Sequence, residues 1–278
     1  MNSQHESPND VSSRRPDAPQ FRDRFRLGRG RSFRGVGLPD RNAGHRFGSE
    51  LKSAFSKSLT ILLGAALIGA CQQVQPALAE EAVAAPPAKI RSSESGMKTA
   101  IFAGGCFWGV EGVFSHVKGV SSAVSGYHGG SRADGTYKAV TSGRTGHAEA
   151  VKVTYDPSVV RYDELLRIFF AVVTDPTQLN RQGPDRGPQY RNALVPMSAE
   201  QAKVAKAYLA QLGKAGLWDK PIVTKIEAQK TFIAAESYHQ DFMAKNPNHG
   251  YILRWDRPKV QALKAMFPAD YRAAFKRG

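Results

Sequence analysis

Met97-Lys98-Thr99-Ala100-Ile101-Phe102-Ala103-Gly104-Gly105-Cys106-Phe107-Trp108-Gly109-Val110-Glu111-Gly112-Val113-Phe114-Ser115 is the stretch on which the reading of this chain turns. Met97 to Ala103 is a short apolar run that suits a strand. Gly104-Gly105 breaks the run, and Trp108, Val110, Val113 and Phe114 then suit an ensuing helix. Cys106 is therefore expected at a strand-to-helix junction, on the first turn of the helix, where free N–H groups and the positive end of the helix dipole favour a thiolate. A cysteine in that position is either a nucleophile or a small buried residue, and position alone leaves both readings open.

Downstream, residues 117–127 read as a second strand and 129–135 as a glycine-rich loop. Val151, Val153 and Tyr155 alternate with Lys152 and Thr154, which marks a half-buried strand ending at Asp156-Pro157; Glu149 shares the parity of Val151. Residues 161–173 are an amphipathic helix, 192–195 a strand, and 198–212 a helix capped by Ser198 and closed by Gly213. A strand at 222–226 and a helix at 234–244 follow, with a less regular tail after Lys245. Strands and helices without regular alternation predict an α+β domain, single, compact and two-layered, over 97–278.

Composition sets the rest in context. With 41% hydrophobic and 23% charged residues in 278, the chain is globular, and 39 Lys plus Arg against 24 Asp plus Glu exclude an acidic solvating protein. Residues 1–50 carry ten Arg, no Lys and six acids without apolar periodicity, and read as a disordered Arg/Gly-rich leader. Such a leader could grip nucleic acid through its phosphates, but the bland reading is a solvated segment, and no nucleic-acid partner is expected. A further reading is that translation starts at Leu51 and the leader is never made.

Residues 51–79 are expected to be a signal peptide. Lys52 and Lys57 precede twelve mostly apolar residues, 59–70, too few for a membrane span of about 20 but right for a secretory core of roughly 7 to 15. Two cleavages fit: Ile68-Gly69-Ala70-Cys71 resembles a lipobox with Cys71 as the lipid attachment, and Ala77-Leu78-Ala79 resembles an ordinary site. Arg14-Arg15 lacks the rest of a twin-arginine signal, since Pro16-Asp17 follows. Residues 80–96 read as a linker. The expected location is the periplasm, or the outer membrane as a lipoprotein, of a Gram-negative-type bacterium, with membrane contact only through the lipid. Cys71 and Cys106 cannot make a disulfide framework, and no two of the seven histidines pair at ligand spacing, so no metal site is expected.

The residues around Cys106 carry more. Gly104-Gly105-Cys106-Phe107-Trp108-Gly109-Val110-Glu111 closely resembles the signature of A-type methionine sulfoxide reductases, and further matches fall in the family's order: Gly126-Tyr127, Thr136-Tyr137, 142–151, Tyr155-Asp156-Pro157, Arg181-Gln182-Gly183, Asp185, Gln189-Tyr190-Arg191 and 235–240. The resemblance covers about 97–245. It implies a ferredoxin-like core, Cys106 as nucleophile, Glu149 as the acid, and Tyr137 and Tyr190 as donors to the sulfoxide oxygen. Phe107 and Trp108 would wall the substrate methyl group, and Asp185 would orient the substrate near its backbone. This division suits the chemistry, because attack of a thiolate on sulfur needs a proton delivered to the departing oxygen, and burial keeps a carboxyl protonated.

Three departures stand out: Thr174-Asp175-Pro176 replaces a common His-Asp-Pro, Thr141 replaces a frequent Cys, and no cysteine follows Cys106. The resolving thiols of many members are thus absent. The resemblance then implies no bound cofactor and recycling in trans by an external thiol (thioredoxin-like, glutaredoxin-like or a small thiol), with oxidised proteins or peptides as substrates of a monomer. A competing assignment, a papain-like acyl transferase, would pair Cys106 with His147 as base.

Overall fold

The structure is a computed structural model that describes residues 81–278; the leader, the signal-peptide region and Cys71 lie outside the described residues. Strand β1 (Lys98–Gly104) leads through Gly105 and Cys106 into helix α1 (Phe107–Ser115). Strand β2 (Val120–His128), the short helix α2 (Tyr137–Val140), strand β3 (Ala148–Tyr155) and helix α3 (Tyr162–Ile168) follow. Helix α3 widens into one π turn at Phe169–Val173, so 162–173 is helical, one residue short of the 161–173 that the pattern predicts. Beyond it come a small hairpin, β4 (Arg181–Gln182) and β5 (Asp185–Arg186), a 3₁₀ turn at Pro188–Tyr190, strand β6 (Asn192–Val195) and helix α4 (Ala199–Gly213), whose Ser198 hydroxyl accepts the Gln201 N–H at 3.1 Å.

The main sheet has the order β7-β6-β1-β3-β2-β8, where β7 is Lys225–Ile226 and β8 is Phe232–Ala234. Its central ladders are antiparallel; only β6 and β7 run parallel. Alternation divides the two faces. Phe102, Val151, Val153 and Tyr155 join the main core with Phe114, Leu165, Leu166, Val204 and Tyr208 from α1, α3 and α4. Ile101, Ala103, Ala148, Ala150, Ala193 and Val195 form a thinner layer on the other face, against Met197 and Phe232. The arrangement is α+β.

Several expectations are corrected. Residues 234–244 do not form one helix: β8 ends at Ala234, turns follow, and only α5 (Phe242–Lys245) is helical. The polar side chains explain this, because Glu236 reaches Tyr127 and the Tyr137 N–H, and Gln240 bonds both Ser125 and the Ala235 carbonyl, partners that one continuous helix face would not meet. The strand expected at 222–226 shrinks to two residues. The tail is more regular than its sequence suggested: a π turn at Ile252–Asp256 runs into α6 (Arg257–Met266), which carries Pro258 in its first turn and buries Leu263. This segment packs against α1 because Gly109 and Gly112 leave room. A Cβ at Gly109 would strike the Asp256 carboxylate, and one at Gly112 the Met243 thioether.

The linker read at 80–96 is tied down from Val83 onward. The Val83 N–H donates to the Ala171 carbonyl (2.8 Å), the Ala85 carbonyl accepts from Arg167 (2.8 Å), and the Pro86 and Pro87 carbonyls accept from Tyr208 and Gln211 (2.8 Å each). Glu94 then accepts from Tyr155 (2.8 Å) and Ser198 (2.9 Å). A segment without periodicity is ordered here through its backbone carbonyls, which a hydrophobic pattern does not record.

Helix α1 carries one group of general consequence for stability. Glu111 is fully buried beside Ser125 and Asp241, and burial pushes its carboxyl up to about 8. The folded chain keeps a proton that the unfolded chain releases near the ordinary value of 4.5, so this contribution is complete below that pH and is lost as pH rises to about 8. Glu149, also pushed up to about 8, acts in the same direction. Glu111→Gln is expected to flatten the fall in Tm between pH 5 and pH 8, measured by thermal unfolding; an unchanged slope would place the proton elsewhere.

Candidate active site

Cys106 is the N-cap residue of α1, as the Gly-Gly break predicts. Gly105 holds φ +92°, and a Cβ there would collide with the Gln182 side chain, so this turn is open to glycine alone. Gln182 belongs to a buried polar group in which the Thr174 hydroxyl lies between the Gln182 amide (2.6 Å) and the Asn192 amide, and Asn192 also bonds the Asp175 carbonyl (3.1 Å). Thr174, the departure from the family's usual histidine, is thus part of the floor beneath the nucleophile's turn.

The β2–β3 register sets Glu149 opposite Tyr127, on the same sheet face as Val151 and Val153. Glu149 is 2% exposed, and its carboxyl accepts the Phe107 N–H at 3.0 Å, directly after Cys106. Burial, opposed by that hydrogen bond and reinforced by Asp185 and Asp256, pushes Glu149 up to about 8. It is a protonated acid at neutral pH. Cys106 behaves otherwise than the helix dipole suggested. Burial, then the nearby Glu149, Asp256 and Asp185, raise its thiol well above the ordinary value, and the Trp108 N–H opposes them only in part. The resting side chain is therefore a thiol.

Tyr137 and Tyr190 face the same pair: burial, Glu149 and Cys106 all raise their hydroxyls, so both are donors throughout the neutral range. Asp185 lines a cleft with Cys106, Gln182, Tyr251, Trp255 and Lys259. Burial raises the Asp185 carboxyl, and it accepts the Tyr251 hydroxyl. Trp108 stacks on Phe242 with ring centroids 3.7 Å apart and donates its indole N–H to His239 Nδ1 at 3.1 Å. Phe107 lies between Tyr127 and His239, at 5.9 and 5.0 Å. The residues expected from the sequence within the described region, Cys106, Phe107, Trp108, Tyr137, Glu149, Asp185 and Tyr190, gather about one site. Among the described residues no group of three or more His, Cys, Asp or Glu side chains is arranged to hold a metal ion.

Several participants were not foreseen. Tyr251, Asp256 and Lys259 come from the tail expected to be irregular. His239 is buried, its neutral ring held at about 4 by burial, with its proton on Nε2 because Nδ1 accepts from Trp108. Glu236 accepts the Tyr137 N–H (2.9 Å) and the Tyr127 hydroxyl (2.8 Å), which fixes the start of α2. Glu236 and His239 stood within the quoted run 235–240, but nothing in their spacing indicated contact with 108 or 137. The acyl-transfer alternative loses its base: His147 accepts the Gly130 N–H on Nδ1 (3.2 Å) and donates from Nε2 to the Ser131 carbonyl (2.8 Å), so both ring nitrogens are committed to a loop.

The chain is similar to several known proteins. A solved structure of methionine sulfoxide reductase A from Corynebacterium diphtheriae is 32% identical, covers 62% of this chain and 85% of its own, and superposes with a TM-score of 0.47. Peptide methionine sulfoxide reductase MsrA 2 of Mesorhizobium japonicum is 58% identical over 176 residues, 63% of this chain and 90% of the relative. The enzyme of the same name from Synechocystis is 42% identical over 215 residues, 77% of this chain and 98% of the relative. The sequence profile of the peptide methionine sulfoxide reductases matches residues 98–270, and the chain belongs to that family of oxidoreductases, which reduce methionine sulfoxide.

Proposed function

We propose that the chain reduces the S epimer of methionine sulfoxide, in oxidised proteins or free, by attack of Cys106 on sulfur with Glu149 as general acid. The observation that carries this reading is the protonated, buried Glu149 carboxyl joined to the N–H that follows the thiol. In the first step Cys106 sulfur bonds to the sulfoxide sulfur; as the oxygen then passes to cysteine, both the S–O bond and the new S–S bond break. Cys–SH and R₂S=O become Cys–S–OH and R₂S; Glu149 supplies a proton to the oxygen and recovers one from the thiol. Tyr137 and Tyr190 donate hydrogen bonds to the oxygen while its charge grows. Phe107 and Trp108 would receive the methyl group, and Asp185 would orient the substrate backbone with Tyr251 as its hydroxyl partner.

The sulfenic acid is the oxidised product on the enzyme. With no cysteine after position 106, an external thiol attacks Cys106 sulfur, releases water and leaves a mixed disulfide, which a second thiol resolves to Cys–SH and a disulfide. Thioredoxin-like and glutaredoxin-like proteins and small thiols are the candidate donors. The proposal extends to an exported monomer of the periplasm or outer membrane, with Cys71 as the lipid attachment, and to a ferredoxin-like core, supported by antiparallel central strands with helices on one face.

Cys106→Ser is expected to abolish reduction of the S epimer with the fold intact, and wild type to leave the R epimer untouched; equal turnover of both epimers would contradict the assignment. Glu149→Gln should slow the single-turnover step by about 10²- to 10⁴-fold. In wild type that step should weaken as pH rises through about 8, where Glu149 loses its proton, and the variant should lack this limb. Without added thiol, one equivalent of methionine should appear per enzyme and dimedone should label Cys106. Several equivalents released without thiol would rule out the single-cysteine cycle.

A further inference from the structure

Arg191 follows Tyr190 in the chain and is not part of the chemistry proposed above, yet its guanidinium donates four hydrogen bonds. Nε and Nη2 donate to the two Glu227 carboxylate oxygens at 2.7 and 3.1 Å. Nη1 donates to the Pro188 carbonyl at 3.1 Å, and Nη2 also to the Gly146 carbonyl at 3.2 Å. Pro188 opens the 3₁₀ turn whose last residue is Tyr190. Gly146 stands two residues before β3, the strand that carries Glu149. One planar group thus bridges the turn of one proposed oxygen donor and the approach to the strand of the proposed acid.

The far side of the bridge is itself fixed. The Glu227 N–H donates to the Leu194 carbonyl of β6 at 2.9 Å, and its carboxylate faces His128 Nδ1 at 3.7 Å. His128 Nε2 accepts the Lys230 N–H at 3.1 Å, which leaves the ring proton on Nδ1, toward the carboxylate. Burial works against the charge of Glu227, but hydrogen bonds from His128 and Arg191 hold it down to about 2. The Arg191 and Glu227 side chains are 17% and 21% exposed, so solvent screens this pair less than a surface ion pair. Gly129 completes the fit: it holds φ +109°, and a Cβ there would press on Nη2.

We propose that Arg191, seated on Glu227, is a positioning residue that sets the separation of Tyr190 and Glu149. This rests on the oxygen-donor and acid roles assigned to those two residues. Lysine cannot replace the fork, because a single ammonium does not meet a carboxylate edge and two carbonyls in one plane.

The test is single-turnover release of methionine by Arg191→Ala and Arg191→Lys, each alone and combined with Tyr190→Phe. Displacement of a donor by a fraction of an ångström is expected to slow Arg191→Ala by about 10- to 100-fold. Arg191→Lys, which keeps a cation beside Glu227, should also be slow. Guanidinium ion well below denaturing concentration should restore part of the rate to Arg191→Ala, and sodium chloride at equal ionic strength should not. On a Tyr190→Phe background the loss from Arg191→Ala should shrink to about twofold or less. Equal losses on both backgrounds, or full speed in Arg191→Lys, would overturn the positioning role. Full speed in Tyr190→Phe alone would instead overturn the donor role of Tyr190, and the positioning role with it.

Discussion

The hydrogen bond from the Phe107 N–H to the Glu149 carboxyl holds the rest of the site in relation. It joins the first free amide of α1 to the middle of the sheet, so the helix that presents Cys106 and the strand that presents Glu149 cannot shift independently. A helix N-terminus leaves such amides unsatisfied, and a buried carboxyl needs a donor. Each group answers the other's requirement. The glycines at 104 and 105 shape the turn at one end of this bond, and the β2–β3 register fixes the other.

Three acids lie close to the Cys106 thiol. Glu149, Asp185 and Asp256 all raise the Cys106 thiol, and Asp185 and Asp256 also keep the Glu149 proton in place. The result favours a thiol and a carboxylic acid together over a thiolate and a carboxylate. That preference suits a reaction in which oxygen must be protonated as sulfur is attacked, because both protons are already present. Neutral His239 beside Trp108 and Phe107 keeps this region free of an added positive charge.

The strand-to-helix junction at Cys106 was legible in the sequence because a glycine pair interrupts one periodicity and starts another, and the parity of Glu149 with Val151 was legible because strand alternation is strict. Other features were hidden for identifiable reasons. The region 234–244 has helical composition, but its polar side chains are engaged by β2, α1 and α2, contacts that no local pattern encodes. Tyr251, Asp256 and Lys259 arrive from a distant segment whose approach depends on two missing Cβ atoms in α1. The elevation of the thiol could not be anticipated either, since the dipole is a local property and burial a tertiary one.

The hydrogen bonds of residues 83–94 to α3, α4 and β3 change the geometry of any attachment upstream. Were the folded part to begin at 97, a lipid on Cys71 would be separated from it by 25 residues; with Val83 already fixed beside Ala171, only the eleven residues 72–82 remain. Fully extended, those eleven reach roughly 40 Å, less than half of what the longer segment would allow. An enzyme so anchored would patrol a shallow layer above its membrane. Its clients would then be proteins that come to that surface, and its thiol donor would have to do the same.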